Sequence, residues 1–359
     1  VDDNGRESTP APTGTADVLV VGAGISGLAA ARRLQAAGRR VTVVDKGRSV
    51  GGRLATRRIS GARVDHGAQF FTQRGPEMAA LLDELRAAGS VHTWCRGFAE
   101  PDGHPRYVMA EGMTALAKHL ARDLTDVQVG RPVERVERRD SGWSLHLDDG
   151  TCLTGVAVLL TAPLPQSLEL LDRGGVELDA GIRPELDAID YDAALAVLVV
   201  LDGPSALPPP GAVQLDRGPF TFVADNRAKG ISPRPALTLH TSPEVAARRW
   251  DEDDAALLED LLDAAAPWIG DAGVVEAQLK RWRYAAPRRT WPEPCCVAVD
   301  GVEPLVFAGD AFDGPRIEGA YRSGLAAGTA LLRARPGGAQ DSSATAGRSS
   351  AGSKPSTRP

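Results

Sequence analysis

Three glycines spaced as GxGxxG, Gly22, Gly24 and Gly27, stand between an apolar run, Asp17 to Val21, and a segment of strong helix formers, Leu28 to Ala37. A buried strand that turns straight into a helix is thereby expected, and Gly38 stops that helix. Arg40 to Val44 supplies β-branched residues for a second strand, which ends at Asp45. The chain up to Asp45 therefore makes one βαβ unit. Gly22 permits the tight turn, Gly24 lets a pyrophosphate approach the backbone, and Gly27 allows close packing of helix on strand. The helix start offers unpaired N–H groups to phosphate oxygens, and Ile25 and Ser26 lie in the turn that leads into it. Asp45 stands where a carboxylate accepts hydrogen bonds from ribose hydroxyls. The unit is expected to bind a dinucleotide.

The 359 residues give material for about two domains. A hydrophobic share of 43% and a charged share of 25% exclude bulk disorder, a collagen-like chain and a coiled coil. The net charge of -6 argues against a polyanion partner, so no nucleic-acid role is expected. Cys95, Cys152, Cys295 and Cys296 lack the CxxC spacing of a zinc site or redox pair, which implies no metal and a reducing compartment. Glycines interrupt the longest apolar stretch, Val18 to Ala31, so no membrane span is expected. Residues 1–16 lack a basic segment followed by an apolar one, and a cytoplasmic location follows by default. Residues 1–16 and 336–359 read as disordered. Between them the patterning predicts helices near 77–88, 112–124, 251–266 and 319–332. Strands are expected near 127–129, 142–147, 156–160, 194–201, 236–240 and 305–308.

The stretch from Lys46 to Arg58 narrows the choice of dinucleotide. Gly51 and Gly52 let the backbone pass close to a phosphate, and Arg53 can offer it a bidentate fork. These residues resemble the GG-doublet flavoproteins, which include amine oxidases and phytoene desaturases. Val64 to Thr72, VDHGAQFFT, and Phe307 to Leu331, FAGDAFDGPRIEGAYRSGLAAGTAL, strengthen that likeness. With FVADNRAKG at Phe222 to Gly230, LTLHTSPE at Leu237 to Glu244 and KRWRYAAP at Lys280 to Pro287, residues 17–335 resemble the renalase-like branch. The resemblance implies non-covalent FAD. It places Lys46, Gly51, Gly52, Arg53, Gly67, Ala68, Gln69, Phe70, Val133, Gly309, Asp310, Ile317, Glu318 and Ala320 at the cofactor, beside the residues of the first turn and Asp45. It implies an α/β fold, a Rossmann-type FAD-binding domain from 17–75, 108–165 and 296–335, with an inserted mixed β-sheet substrate domain from 76–107 and 166–295.

The activity that this likeness implies is hydride transfer to flavin N5 from dihydronicotinamide isomers, the 2- and 6-dihydro forms of NAD(P), with molecular oxygen as acceptor. No general base is obligatory for such a step, and the protein's part is orientation and electrostatics. His240 and Tyr284 are the catalytic candidates, with Asn226, Trp282, Arg283 and Arg288 as substrate candidates and Gln69 as a polar partner. Arg57, Arg58 and Arg288 could receive substrate phosphates, while His66 shapes the flavin loop. On a strand, Trp282 and Tyr284 share one face. An oxidase or dehydrogenase of amines or of an unsaturated secondary metabolite is the alternative, although Pro315 to Glu318 holds none of the aromatics an amine site would favour. From another class, a flavin-bound or nucleotide-bound sensor without turnover also fits.

Overall fold

The computed structural model describes residues 15–100 and 103–334. The expected disordered ends fall outside them, except that Ala16 already opens the first strand. Ala16–Val21 lies inside an eight-stranded sheet, in parallel between Val41–Asp45 and Cys152–Leu160. Leu305–Phe307 and Val127–Val129 extend it in parallel, and Cys296–Val299 closes one edge antiparallel. The meander Val133–Arg139 and Gly142–Leu147 branches from the first half of Cys152–Leu160. The first strand is apolar throughout because both its faces are covered: Val18 and Val20 pack into one core, Leu19 and Val21 into the other. Each such side chain contributes roughly 1.5–3 kcal/mol through burial.

Helix Ile25–Ala36 covers the first of these cores, and the last helix, Ile317–Arg333, lies along it. Their contact is made backbone to backbone. A Cβ on Gly324 would stand 2.1 Å from the carbonyl oxygen of Ser26, so only a residue without a side chain fits there.

A second sheet of five antiparallel strands runs in the order Ala212–Gln214, Phe220–Asp225, Ala236–Thr241, Tyr191–Leu201, Val274–Pro287. Along Tyr191–Leu201 the buried residues alternate. Leu195, Val197, Val199 and Leu201 join the core under helix Asp254–Ile269, whereas Ala196, Leu198 and Val200 pack on the hairpin Thr56–Ile59 and Ala62–Asp65. The hairpin belongs to the segment that follows the GG doublet. Its packing brings that doublet, and the loop 66–70, against the second sheet. The fold is thus α/β, with a Rossmann-like sheet and further sheets that are antiparallel throughout rather than mixed as expected.

Candidate active site

A cleft of about 930 Å³ opens where the glycine turn, the end of Val41–Asp45, the Gly52–Arg53 segment and residues 281–284 of the long strand converge. The turn is built as the spacing predicts. Gly22 has φ 113°, and a Cβ on Gly27 would lie 2.0 Å from the Gly22 carbonyl oxygen. A Cβ on Gly24 would meet nothing within 4 Å, so this residue leaves a bare backbone approach from the cleft. No side chain caps the helix that starts at Ile25, and the Ser26 Oγ is buried without a hydrogen-bond partner. Asp45 accepts from Ala23 N and Gly47 N, both at 2.6 Å, which ties the turn to the second strand. A carboxylate has further lone pairs, and these remain for hydroxyl donors. Lys46 and Val133 line the same end of the cleft. An uncapped helix start, an orphaned hydroxyl and a side-chain-free approach are the features a diphosphate needs, so the residues fit FAD.

The doublet sits on this turn, with Gly51 N donating to Ala23 O at 2.8 Å. Arg53 lines the cleft with its fork held by an acidic partner. Its Nη1 and Nη2 reach the two carboxylate oxygens of Asp310 at 2.5 and 2.6 Å, and Nη1 also donates to the carbonyls of Tyr284 and Ala285. Gly67 and Ala68 lie against Arg53, whose carbonyl accepts from Ala68 N at 2.9 Å. Gly309 N donates to Ser323 Oγ at 2.9 Å, fixing the end of the last strand to the last helix. Ala320 is buried and Ile317 packs against the first core. Glu318 accepts from Arg74 N and Gly75 N and so serves the start of helix Pro76–Ala87.

The substrate candidates separate into three groups. Trp282 and His240 meet at one atom: the His66 carbonyl oxygen accepts from Trp282 Nε1 at 2.9 Å and His240 Nε2 at 3.2 Å. The His66 ring also stacks on Trp282, with centroids 5.3 Å apart. Burial, reinforced by the charges of Lys280 and Arg57, pushes His66 down to about 4. Burial pushes His240 to about 4 as well, with Lys229 acting in the same direction. Both imidazoles are therefore neutral at pH 7. Tyr284 lines the cleft, its ring edge-on to Tyr191 at 5.7 Å.

Asn226 and Gln69 belong to a buried scaffold. Lys229 and Asp65 form an ion pair of 2.8 Å with both side chains 0% exposed, and Lys229 also reaches Gln69 Oε1 at 3.0 Å. Asn226 accepts from Asp65 N and donates to Ala236 O and Thr238 Oγ1. Lys229 was legible only as part of the FVADNRAKG segment and was not singled out by sequence reasoning.

The third group lies away from these contacts. Arg283 sets its guanidinium over the Trp250 ring at 5.2 Å, on the face opposite Trp282, and Arg288 is exposed in an ion pair of 2.7 Å with Asp192. Arg58 lines the cleft as an exposed residue, with half-buried Arg57 beside it in the same strand. Cys296 is buried, which pushes its thiol up to about 12. Among the described residues no group of three or more His, Cys, Asp and Glu is placed to hold a metal ion. No helix among them is long and apolar enough to cross a membrane.

Residues 20–85 match the NAD(P)-binding Rossmann-like domain family, and residues 90–332 match the family described as flavin containing amine oxidoreductase. Putrescine oxidase of Kocuria rosea is 48% identical over 124 residues, 30% of this chain and 26% of that protein. Mouse renalase is 28% identical over 193 residues, 50% of this chain and 56% of that protein. These matches thus span from a quarter to little more than half of the relatives' own lengths. Among solved structures, a putrescine oxidase bound to putrescine superposes with a TM-score of 0.69 at 18% identity, covering 89% of this chain and all of that one. Cyclohexylamine oxidase of Brevibacterium oxydans IH-35A gives 0.64 at 16% identity, over 89% of this chain and 99% of the other. At such identities the likeness carries the fold. The second family match covers more than half of the sequence, so the chain belongs to the flavin-containing amine oxidoreductases, and its cofactor is FAD.

Proposed function

We propose that the protein oxidises dihydronicotinamide isomers, the 2- and 6-dihydro forms of NAD(P), with molecular oxygen as the final acceptor and hydrogen peroxide as its product. The observation that carries this reading is the meeting of Trp282 Nε1 and His240 Nε2 on the His66 carbonyl oxygen, with the His66 ring stacked on Trp282, an arrangement whose burial lowers the pKa of both imidazoles. An amine substrate exists mostly as an ammonium of pKa about 10 and reacts as the neutral amine, and such weak bases give little help in generating it. A dihydropyridine arrives neutral. It becomes a pyridinium by losing hydride alone, and neutral imidazoles do not repel the positive charge that forms.

When bound, FAD supplies the acceptor for that hydride. We assign its pyrophosphate to the Gly22 to Gly27 turn with Gly51 and Gly52, and its adenosine end to Asp45, Lys46 and Val133. Gly67 to Phe70, Gly309, Asp310 and Ala320 are assigned to the flavin end, in a cofactor domain of 17–75, 108–165 and 296–335. Arg53, which lines the cleft and is held by Asp310, positions this end. Arg57 and Arg58 receive the phosphates of the substrate. His240 and Trp282 hold the His66 peptide, and Tyr284 completes the wall of the cleft.

The test is anaerobic mixing of the FAD-loaded protein with a borohydride-reduced NAD mixture, ordinary NADH, or simple amines, following flavin absorbance. Rapid bleaching by the mixture with NADH slow supports the proposal. Bleaching by amines alone supports the second reading, an amine oxidase, which the putrescine oxidase match favours. Bleaching by none of them overturns the proposal.

A further inference from the structure

The cleft is cationic although the chain is acidic. Nine Lys and Arg residues line it against three Asp and Glu, whereas the whole sequence has a net charge of -6. Several of these cations are neutralised in place, Arg53 by Asp310, Arg131 by Asp149 and Arg281 by Asp254. Arg58 and Lys118 are exposed and have no ion-pair partner among the described residues.

These two stand with Arg63 in one wall of the cleft. In the hairpin Thr56–Ile59 and Ala62–Asp65, Arg58 lies opposite Arg63 and Thr56 opposite Asp65. Strand alternation puts these four on one face, since Ile59, Ala62 and Val64 occupy the other, against the second sheet. Helix Thr114–Ala121 closes on the first face, where Thr56 N donates to Thr114 Oγ1 at 2.7 Å and Thr114 N to Thr56 Oγ1 at 3.0 Å. Lys118 follows Thr114 by one turn and so stands on the same side of its helix. Thr56, Arg58, Arg63, Thr114 and Lys118 all line the cleft. Glu111, which lies 3.7 Å from Arg63, is 68% exposed and hence a weak, water-screened partner.

Cations held on one wall without buried carboxylates repel one another, and a bound dianion relieves that repulsion. In a diphosphate that bridges two sugars, each phosphate carries a single charge. A terminal phosphomonoester carries about -1.5 to -2 at pH 7 and offers three acceptor oxygens. Two guanidinium forks and an ammonium match that group in charge and in donors. We infer that Arg58, Arg63 and Lys118 form a subsite for a terminal phosphomonoester of the substrate, so that the cleft takes 2′-phosphorylated dihydronicotinamide dinucleotides in preference to unphosphorylated ones. The inference rests on the reading that a dihydronicotinamide dinucleotide is the substrate. It goes further by selecting between the NAD and NADP forms.

The test is calorimetric binding of the oxidised dinucleotides NADP+ and NAD+ to the FAD-loaded protein at low salt, with no turnover required. NADP+ is expected to bind roughly 10-fold tighter or more, and adenosine 2′,5′-bisphosphate should exceed 5′-AMP by a similar factor. Lys118→Gln and Arg63→Gln each remove one charge and are expected to cut the ratio roughly 3- to 10-fold through weaker NADP+ binding. Added salt should shrink it as well. Thermal melts identify a variant that fails to fold, and the two variants stand in for one another. Equal binding of the two dinucleotides, no binding of NADP+, or a ratio unmoved by both variants would each overturn the inference. So would NAD+ binding weakened as much as that of NADP+, which would put the cations on the bridging diphosphate, or loss of FAD from the folded variants, which would put them on the cofactor. Oxidation of dihydronicotinamides with no preference between NAD and NADP forms removes this inference and leaves the proposed function. A preference for NADP+ without such oxidation does the reverse.

Discussion

Arg53 and Asp310, 257 positions apart, meet in a two-pronged ion pair of 2.5 and 2.6 Å that joins the glycine doublet to the end of the last strand. The pair is largely shielded from water, with side-chain exposures of 29% and 11%. Removing one partner strands the other charge, at a cost of roughly 3 kcal/mol for a well-buried pair. Asp310→Ala is therefore expected to melt several degrees lower even without cofactor and to lose FAD on purification. A melting temperature equal to that of the parent would show that the pair does not hold these segments together.

Gly24 and Ser26 separate cofactor binding from folding. Gly24 has φ -74° and ψ 178°, a conformation open to any residue, and a Cβ there meets no neighbour. Gly24→Val should fold with an unchanged melting temperature when cofactor-free, yet purify without yellow colour. Ser26→Ala removes a buried hydroxyl that no protein group satisfies, so the cofactor-free protein should be no less stable while FAD affinity falls roughly 5- to 10-fold. A Gly24→Val protein carrying full FAD would reject the assignment of this turn.

The two histidines make stability depend on pH. Each has a folded-state pKa of about 4 against an ordinary 6.5, so the folded form refuses a proton that the unfolded chain accepts. The stabilisation is whole above pH 6.5 and is lost as pH falls from there toward 4. Each imidazole adds at most about 1.4 kcal/mol per pH unit to that loss. Denaturant titrations across this range should show a shallower pH dependence in His240→Gln than in the parent. An identical slope would mean that His240 takes up protons freely in the fold.

Gly324→Ala places a carbon 2.1 Å from a backbone oxygen, and one of the two packed helices must move. A loss of about 2 kcal/mol or more is expected, on the scale of an overpacked core. Because Ser26 supplies the oxygen, FAD retention should fall together with melting temperature. Loss of stability with FAD affinity intact would show that the helix start does not shift.

The βαβ unit was legible because its signals are local: a strand with an apolar residue on each face, glycines at fixed offsets, and a helix stop. The edges moved little, as with Ile25 opening a helix expected from Leu28. Val274–Pro287, the long edge strand of the second sheet, was harder to read. Only its second half, Lys280 to Pro287, quoted for its family likeness, suggested a strand, since Glu276, Gln278 and Lys280 give one face a polar character. At the site, sequence reasoning brought out His240, Trp282 and Tyr284, which do gather near the cleft. It could not foresee that Arg53 would turn to Asp310 or that Asn226 would be enclosed with Lys229 and Asp65, because these pairings join distant parts of the chain. Nor does any local pattern show that Lys118 joins Arg58 and Arg63 in one wall of the cleft.

The close approach of Gly324 to Ser26 also sets an order of events during synthesis. The first helix and its glycine turn are made well before the helix that covers them, which is the last described element. The strand ending beside Asp310, which restrains Arg53, emerges hardly sooner. A growing chain therefore exposes the dinucleotide turn until the pieces that close it have been made. Cofactor capture therefore waits on the last helix, and a chain that lacks it has the apolar face of the first helix bare to proteases and chaperones.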